Sequence, residues 1–355
     1  MLDIHQISTG RGNSALFILP DGTTLLVDAG AAADGVAETD PHPGGSRTPG
    51  EWIARYIQRH LPAGSASLDY ALITHFHPDH MAGIADVDKA LPIHTVIDRG
   101  WPDYGYPAPL TDALVTEYRR LMASRHVERF MPGVKSQIRL VRDAAQYPGF
   151  EIRNIIANGE MWTGNGESTR QLFPQVASLA KADLPSENMC SAGFRLQYGA
   201  FRYFTGGDLP GMPDPGFPAW NGVEAAIAGV IGPVDVHAVN QHGSMAEESD
   251  AFLEALHSTV FVIPSWAPSH PAPDVLKRII NSRFPPLPRY VFATDLREAA
   301  KIVIGARATQ LAGPAGHIVV RVEPGGASYR VFVLDNRDER DDVVAMKGPF
   351  TSGSR

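Results

Sequence analysis

The sequence of 355 residues carries a formal net charge of −8 and one cysteine. The acidic balance disfavours general attraction to a nucleic-acid backbone, because such binding depends on many Lys and Arg contacts, and one cysteine excludes an internal disulfide framework. The N-terminus lacks a basic stretch followed by an apolar segment, and no run approaches about 18 apolar residues, so we expect a cytoplasmic protein with no membrane partner.

Apolar periodicity and turn signals predict that strands and helices alternate along the chain. In the first half, strands are predicted near 2–8, 14–19, 24–28, 69–74 and 93–98, and helices near 48–61 and 110–131. In the second half, strands are predicted near 137–141, 151–157, 192–198, 201–205, 234–239, 259–263 and 289–293, helices near 248–257, 273–281 and 296–305, and a hairpin at 324–326. This order indicates an α/β protein with a substantial core.

Three histidines and one aspartate follow the predicted strand at 69–74 within six residues. Residues two apart in an extended segment point the same way, so His75 and His77 can converge on one ion. A proline then fixes φ and suits the first turn of a helix, which places Asp79 and His80 toward the same cavity. Ligands of this kind suit zinc, with manganese, iron or cobalt as alternatives. The sequence therefore predicts a metal site.

This motif resembles the His-x-His-x-Asp-His signature of the metallo-β-lactamase superfamily. Two later segments follow in the order of that family: a predicted strand that ends in Gly-Gly-Asp208, and a predicted strand followed by His242-Gly. The resemblance implies a four-layer αββα sandwich, in which Asp208 bridges two metals and His242 is the last ligand.

Asp28 ends the second strand of a hairpin whose turn is signalled by Asp21-Gly22. The resemblance implies that Asp28 holds the histidine loop, because metal-bound imidazoles are oriented by hydrogen bonds to an outer carboxylate. The alternative is that Asp28 simply begins a turn before Gly30.

The third histidine of the family's first metal site has no obvious counterpart in this sequence. Asn188, followed by Ser191, occupies its place and resembles the subgroup that includes the metallo-β-lactamase-like domain of the competence DNA-uptake protein ComEC. An amide oxygen is a weaker and harder ligand than imidazole, so the first site is expected to bind metal less tightly and to accept manganese or magnesium more readily. Asn188 is either a direct ligand or a residue that caps the backbone, and Cys190 is expected to be a small buried hydrophobe.

A binuclear site of this family implies hydrolysis by a metal-activated water. The resemblance assigns the first metal to His75, His77 and, as a candidate, Asn188, the second metal to Asp79, His80 and His242, and the bridge to Asp208. Asp79 and Asp208 are the implied catalytic residues, and the expected cofactor is two Zn²⁺ ions, with Mn²⁺ as the alternative. The expected partner is a small-molecule substrate: an ester, lactone, amide or phosphodiester. Three alternatives remain open: a ComEC-like nuclease acting on DNA, oxidation chemistry on iron, and a binding protein without turnover.

Four loop insertions extend the minimal domain, at 31–47, 99–135, 158–187 and 209–222. The first is expected to form a flexible flap beside the metals. The second supplies the candidate substrate-binding residues Arg99, Trp101, Tyr104 and Tyr106, although aromatic residues on loops can equally anchor a loop to its own domain. We expect a single domain over 1–335 and a charged, flexible tail over 336–355. The sequence makes no prediction of oligomeric state.

Overall fold

The computed structural model describes residues 1–32, 39–213, 215–244 and 246–354. Within them, strands form two sheets of nine and eight strands. The nine-stranded sheet contains β1 Leu2–Gln6, β2 Ala15–Ile18, β3 Thr24–Val27, β4 Leu68–Ile73, β5 Ile93–Asp98, β6 Val127–Arg129, β15 His317–Val322, β16 Ser328–Leu334 and β17 Val343–Thr351. The eight-stranded sheet contains β7 Phe150–Ala157, β8 Glu160–Trp162, β9 Thr169–Gln171, β10 Gly193–Tyr198, β11 Phe201–Thr205, β12 Val236–Ala238, β13 Val260–Ile263 and β14 Tyr290–Ala293.

Helices flank the two sheets. They are α1 Pro49–His60, α2 Pro78–Met81, α3 Ile84–Ala90, α4 Ala113–Met122, α5 Val223–Ile231, α6 Asp250–Leu256, α7 Pro273–Ile280 and α8 Glu298–Ile304. The first of them, α1, is fixed at its start by a capping box, in which Thr48 and Glu51 each bond the other's backbone amide. The strand order is β17-β16-β15-β1-β2-β3-β4-β5-β6 in the nine-stranded sheet and β14-β13-β12-β11-β10-β7-β8-β9 in the other.

The buried side chains divide the molecule into four layers. In β3, Leu25 and Val27 point to the core between the sheets, whereas Leu26 packs on the helical side, as the two-residue period of a strand requires. Helices α1, α3 and α4 cover the outer face of the nine-stranded sheet. Helices α5, α6, α7 and α8 cover the outer face of the other. The expected αββα sandwich is therefore confirmed.

Parallel strands bring the predicted site residues to one edge of the sandwich. β3, β4, β5 and β6 are parallel neighbours, and so are β11, β12, β13 and β14. In open α/β sheets, ligands bind outside the carboxyl ends of such strands. The segments that follow β4, β11 and β12 carry the histidines and aspartates singled out in the sequence.

Two regions differ from the predicted elements. The long helix expected at 110–131 ends at Met122, and Val127–Arg129 instead pairs with β5 as strand β6. Residues 137–141 form no strand, since their backbone pairs with no strand among the described residues. Ile138 and Leu140 are nevertheless buried between the sheets. Their alternating burial produces the same sequence pattern as a strand. The expected flap at 31–47 lies partly outside the described residues.

The C-terminal region is more ordered than the expected flexible tail. Strand β17 pairs with β16 over much of its length. The acidic segment before β17 docks on α1: Glu339 binds Arg55 with two contacts of 2.7 Å, and Asp341 binds Arg59 at 2.8 Å. Two of the acidic side chains that suggested a solvated tail are therefore paired with basic residues of a helix.

The described helices are too short to cross a membrane, since the longest, α1, has 12 residues and a span needs about 20.

Candidate metal centre

Six side chains from three segments converge at the carboxyl ends of the strands. One group, whose ligand atoms all lie within 4.8 Å of one another, consists of Asp79, His80, Asp208 and His242. A second group with the same spacing consists of His75, His77 and Asp208. Asp208 belongs to both groups, so its two oxygens face two neighbouring positions.

The loop after β4 supplies four of these side chains. His75 Nε2 lies 3.1 Å from His77 Nδ1, while Phe76 between them packs in the hydrophobic layer on the helical side. Pro78 begins α2, so that Asp79 and His80 lie in its first turn. The local structure therefore follows the spacing of the motif.

Asp28 is the buried acceptor that holds this loop. Its carboxylate accepts hydrogen bonds from the Thr74 amide at 2.8 Å, the Thr74 hydroxyl at 2.9 Å, Asn13 Nδ2 at 3.0 Å and His80 Nδ1 at 2.7 Å. Asp28 has a φ of 60°, a strained conformation for a residue other than glycine. Gly30, two residues later, packs closely against the backbone of Asp79. A Cβ added to Gly30 would lie 2.0 Å from the Asp79 carbonyl oxygen. The close packing of the backbone after β3 against the α2 turn is thus possible only with glycine at position 30.

His242 is presented by an unusual turn after β12. Gln241 and His242 both adopt left-handed conformations, with φ of 45° and 56°. The Gln241 amide donates to the Gly207 carbonyl at 3.0 Å, which ties this turn to the glycine turn before Asp208. Backbone strain of this kind persists where surrounding contacts over-determine it, and it often marks a functional site.

The hydrogen bonds fix which ring nitrogens carry protons. His242 Nδ1 lies 2.9 Å from the Pro264 carbonyl oxygen, which can only accept, and His80 Nδ1 faces the Asp28 carboxylate. In the neutral rings, both Nε2 atoms therefore expose lone pairs. These lone pairs face each other at 3.2 Å, and both lie beside Asp208 Oδ1, at 3.1 and 3.5 Å. A cation between them would remove this repulsion.

The distances also fit a small tetrahedral ion. Zinc bonds of about 2.0–2.1 Å at tetrahedral angles place neighbouring ligand atoms about 3.3 Å apart. The distances that His80 and His242 make with each other and with Asp79 and Asp208 range from 3.1 to 3.8 Å. Asp208 Oδ1 is buried and has no protein hydrogen bond of good geometry within the described residues. The donor set therefore fits a divalent cation.

The charges within the cluster also favour the binding of a cation. Burial opposes the charging of His80, but the carboxylates of Asp208, Asp28 and Asp79 outweigh it and raise its pKa well above that of an ordinary histidine. Burial alone would raise the pKa of Asp208, yet His80 and His242 hold it well below its usual range. Burial, together with the neighbouring His80, lowers the pKa of His75 well below its ordinary value. The cluster attracts positive charge, and His75 is neutral as a metal ligand must be.

Metal affinity is expected to fall as the pH is lowered. The pKa of His242, like that of His80, is raised in the metal-free protein, because Asp208 and Asp79 outweigh the effect of burial. A cation must displace these protons, so affinity should rise about tenfold per pH unit for each proton displaced, until the raised pKa values are passed. Competition with a chromophoric zinc chelator between about pH 6 and 8 measures this slope. An affinity independent of pH would contradict the proton assignment.

Asn188 lies three residues before Ser191, which contacts Asp208 of the cluster. It begins a turn of 3₁₀ helix, and its Oδ1 is buried without a hydrogen-bond partner among the described residues. Ser191 accepts a hydrogen bond from the Asp208 amide at 3.2 Å. An unpartnered buried oxygen is what a direct ligand would present before metal binds, and the ligand role of Asn188 stays a prediction.

The four candidate substrate-binding residues of the 99–135 loop have other surroundings. Arg99 is 1% exposed and forms a buried ion pair with Glu187, whose Oε1 also accepts the Phe76 amide at 2.7 Å. Tyr104 is buried and donates to Asp98 at 2.8 Å. Trp101 packs beside them on the helical side, and Tyr106 packs on the outer face of the other sheet. Arg99 and Tyr104 therefore stabilise the loop from inside instead of facing a ligand, which corrects the sequence-based expectation.

Two residues beside the centre lie outside the metal motif: Glu187 carries no clear signal in the sequence, whereas His270 is expected either to approach the site or to be a solvated turn residue. Glu187 connects Arg99 to the backbone between the two first-site histidines. The ring of His270 stacks on the ring of His242 with centroids 4.9 Å apart, and burial lowers its pKa to about 3. Both act through contacts between segments far apart in the sequence, so no local motif announces them.

A cavity of about 430 Å³ opens next to the centre. Gln241 and Ser244, on either side of His242, line it together with Asn188 and Pro210. The remaining lining residues are Ala182, Leu184, Ser186, Met189, Met212, Pro213, Phe217, Asn221, Ala246 and Glu247. This is the space in which a substrate can approach the cluster.

Residues 8–150 match the family profile described as the metallo-beta-lactamase superfamily. This part of the chain is similar to that superfamily. The match includes Asp28 and the loop from His75 to His80, and the two-sheet arrangement of the whole chain is the metallo-beta-lactamase sandwich. No curated protein matches the sequence.

Several solved structures resemble this metallo-beta-lactamase fold at low sequence identity. CmlA, a diiron beta-hydroxylase from Streptomyces venezuelae, is 15% identical, with 79% of this chain and 51% of CmlA covered and a TM-score of 0.44. Igni18, a metallo hydrolase from Ignicoccus hospitalis, is 10% identical, with 90% and 100% covered and a TM-score of 0.43. A diphosphatase from the PhnP family is 11% identical, with 74% and 85% covered and a TM-score of 0.37. This chain spans about half the length of CmlA.

Asp28, the buried carboxylate behind the histidine loop, gives a direct test of the candidate metal centre. Asp28→Asn keeps the size of the side chain but removes the charge that orients His80, and asparagine tolerates a left-handed backbone. Loss of such an outer partner typically weakens metal binding about 10- to 100-fold. Zinc affinity of the variant, measured by chelator competition, should fall by that amount, while Asp69→Asn, which changes a carboxylate outside the cluster, should not alter it. Unchanged zinc affinity in Asp28→Asn would show that Asp28 only supports the backbone turn and does not orient His80 for metal binding.

Proposed function

We propose that this chain is a metal-dependent hydrolase that uses a metal-activated water on a small ester, lactone, amide or phosphodiester. The observation that carries this proposal is the convergence of histidine lone pairs and carboxylate oxygens. The Nδ1 atoms of His80 and His242 face the Asp28 carboxylate and the Pro264 carbonyl oxygen, which leaves both Nε2 atoms for a metal. Such a cluster is stable as a metal site and costly without a cation.

The proposed centre is binuclear. His75, His77 and Asp208, with Asn188 as a candidate, would hold one ion; Asp79, His80, His242 and Asp208 would hold the other. When bound, divalent cations such as Zn²⁺ or Mn²⁺ supply Lewis acidity and lower the pKa of water toward neutrality. The mixed nitrogen and oxygen ligands are compatible with either ion.

Within this centre, we assign separate roles to the two aspartates. The Asp79 side chain is 18% exposed, against 6% for Asp208, so Asp79 lies closer to the open side. His80 and His242 hold the pKa of Asp79 well below its usual range against the effect of burial, which keeps it a carboxylate. A permanent carboxylate can accept a hydrogen bond from the attacking water and orient it. Asp208, more deeply buried, would hold the two halves of the site together.

The cavity favours a small substrate over a nucleic acid. Among the described residues that line it, none is Lys or Arg, whereas nucleic-acid binding depends on such contacts. Two basic residues of the 99–135 region are engaged elsewhere: Arg125 pairs with Asp88 at 2.6 Å, and Arg119 lies over the Tyr104 ring. A ComEC-like nuclease remains the second candidate, supported by the Asn188-x-x-Ser191 pattern beside Asp208.

The decisive test is metal-dependent turnover. Metal-loaded protein should hydrolyse at least one member of a panel of p-nitrophenyl esters, a lactone, p-nitroanilides and bis(p-nitrophenyl) phosphate, and chelation should abolish the activity. His77→Ala should abolish it as well, while His94→Ala, which removes an exposed histidine outside the cluster, should leave it unchanged. Equal activity of chelated and metal-loaded protein, or full activity of His77→Ala, would contradict the proposal.

A further inference from the structure

Glu247 is a buried acid in the wall of the cavity beside the metal centre. It is 1% exposed, and its main-chain carbonyl accepts two hydrogen bonds from Arg278, at 2.9 and 2.6 Å. Its backbone position is therefore fixed. It is not one of the residues grouped around the proposed metals.

The carboxyl group of Glu247 is incompletely bonded. Its Oε2 is buried and has no hydrogen-bond partner among the described residues. Burial raises the pKa of Glu247 to about 8, and the charges of Asp208 and Glu248 add to this effect. A buried carboxyl group without a full set of donors costs free energy, which a ligand can recover by donating a hydrogen bond or bringing a positive charge.

The other walls of the cavity define the shape of such a ligand. Asn188 contributes a second unpartnered acceptor oxygen, whereas Leu184, Met189 and Phe217 contribute apolar surface. The described lining includes an acid and no Lys or Arg. The unpartnered acceptor oxygens therefore make the cavity complementary to a donor or a cation next to an apolar group.

We propose that Glu247 is a specificity-determining residue of this site and selects small substrates that carry an amino group beside an apolar side chain. This inference rests on the proposed hydrolytic function and names its substrate class. Glu247 acts on the bound substrate and not on the metals. Its replacement by glutamine should therefore alter the choice of substrate and leave metal content unchanged.

Three probes of matched size test the inference. L-leucine p-nitroanilide carries the amino group, 4-methylpentanoyl p-nitroanilide is the same molecule without it, and bis(p-nitrophenyl) phosphate is an anion. The metal-loaded wild-type protein should hydrolyse the first with a kcat/KM about tenfold or more above that of the second, since a hydrogen bond to a charged group discriminates by that amount. In Glu247→Gln this ratio should fall to about threefold or less, with metal content unchanged. Glu254→Gln, an exposed acid on α6, should keep the wild-type ratio.

The outcomes separate the inference from the function it rests on. A wild-type preference for the des-amino probe or the phosphodiester, or an unchanged ratio in Glu247→Gln, would overturn the role of Glu247 while leaving a metal-dependent hydrolase. If no probe is hydrolysed, the proposed function fails for these bonds, and calorimetric binding of leucinamide against 4-methylpentanamide then decides the inference. Tighter binding of leucinamide that depends on Glu247 supports it, and equal binding of the two amides overturns it.

Discussion

Replacing Asp208 with asparagine is expected to lower kcat/KM for metal-dependent hydrolysis by a factor of about a thousand, because Lewis-acid stabilisation is worth several kcal/mol and each 1.36 kcal/mol is tenfold in rate. Asp208 is the one residue shared by both candidate groups of ligands. Its oxygens lie 3.1 Å from His80 Nε2 and 3.7 Å from His75 Nε2, so the substitution weakens both sites at once. Metal content should fall below that of the wild type in the same preparation.

The asparagine variant separates the loss of metal from the loss of the fold. The amide keeps the size of the carboxylate, and the glycine turn before it is unchanged: Gly207 has a φ of 59° and packs against Thr74. Far-ultraviolet circular dichroism should therefore match the wild type. Asp183→Asn, which changes a carboxylate outside the cluster, provides the matched control. Retention of full activity by Asp208→Asn would contradict the shared-ligand assignment.

Replacing Arg99 with methionine is expected to lower the free energy of unfolding by about 3–5 kcal/mol, the usual cost of removing one partner from a buried ion pair. The Arg99 guanidinium donates to Glu187 Oε1 at 2.9 Å, to Asn158 Oδ1 at 2.9 Å and to a backbone carbonyl at 3.0 Å. It also lies 4.7 Å from the centre of the Phe76 ring. Urea unfolding of the metal-free protein measures the loss, and Arg170→Met, at an exposed arginine, should change the free energy by no more than about 0.5 kcal/mol.

A second substitution identifies the cause of that loss. If the unpaired Glu187 carboxylate is responsible, then adding Glu187→Met to Arg99→Met should restore part of the stability. A double variant less stable than Arg99→Met would show instead that packing, or the Glu187 bond to the Phe76 amide, dominates. An unchanged unfolding free energy in Arg99→Met would contradict the view that Arg99 stabilises the fold through its buried ion pair with Glu187.

The metal motif was predictable from the sequence because its chemistry is local. The two-residue period of an extended chain and the helix start at Pro78 determine how the side chains of the loop point. Asp208 and His242 were found by their order after the motif and by resemblance to a family, not by geometry. The alternation of strands and helices indicated an α/β protein, and the family resemblance implied the four-layer sandwich.

The contacts around the site could not be predicted, because they join distant segments. Arg99 and Glu187 are 88 residues apart, and no local pattern indicates that they form a pair. An arginine in an aromatic loop indicates a ligand contact and a buried ion pair equally well. No sequence pattern marks Glu247 either, because its place beside the cavity depends on how several loops fold together. The acidic composition of the C-terminal segment predicts a solvated tail, because the partners on α1 lie about 280 positions earlier and leave no local signal.

The central claim is that the converging histidines and aspartates hold metal ions. Elemental mass spectrometry of the purified protein, with the identity of each metal recorded and with Asp208→Asn measured in parallel, tests it most directly. We expect about two equivalents of zinc or manganese per chain in the wild type and clearly fewer in the variant. A wild-type protein that contains no metal, and that takes up none when zinc, manganese or iron is supplied, would contradict the claim.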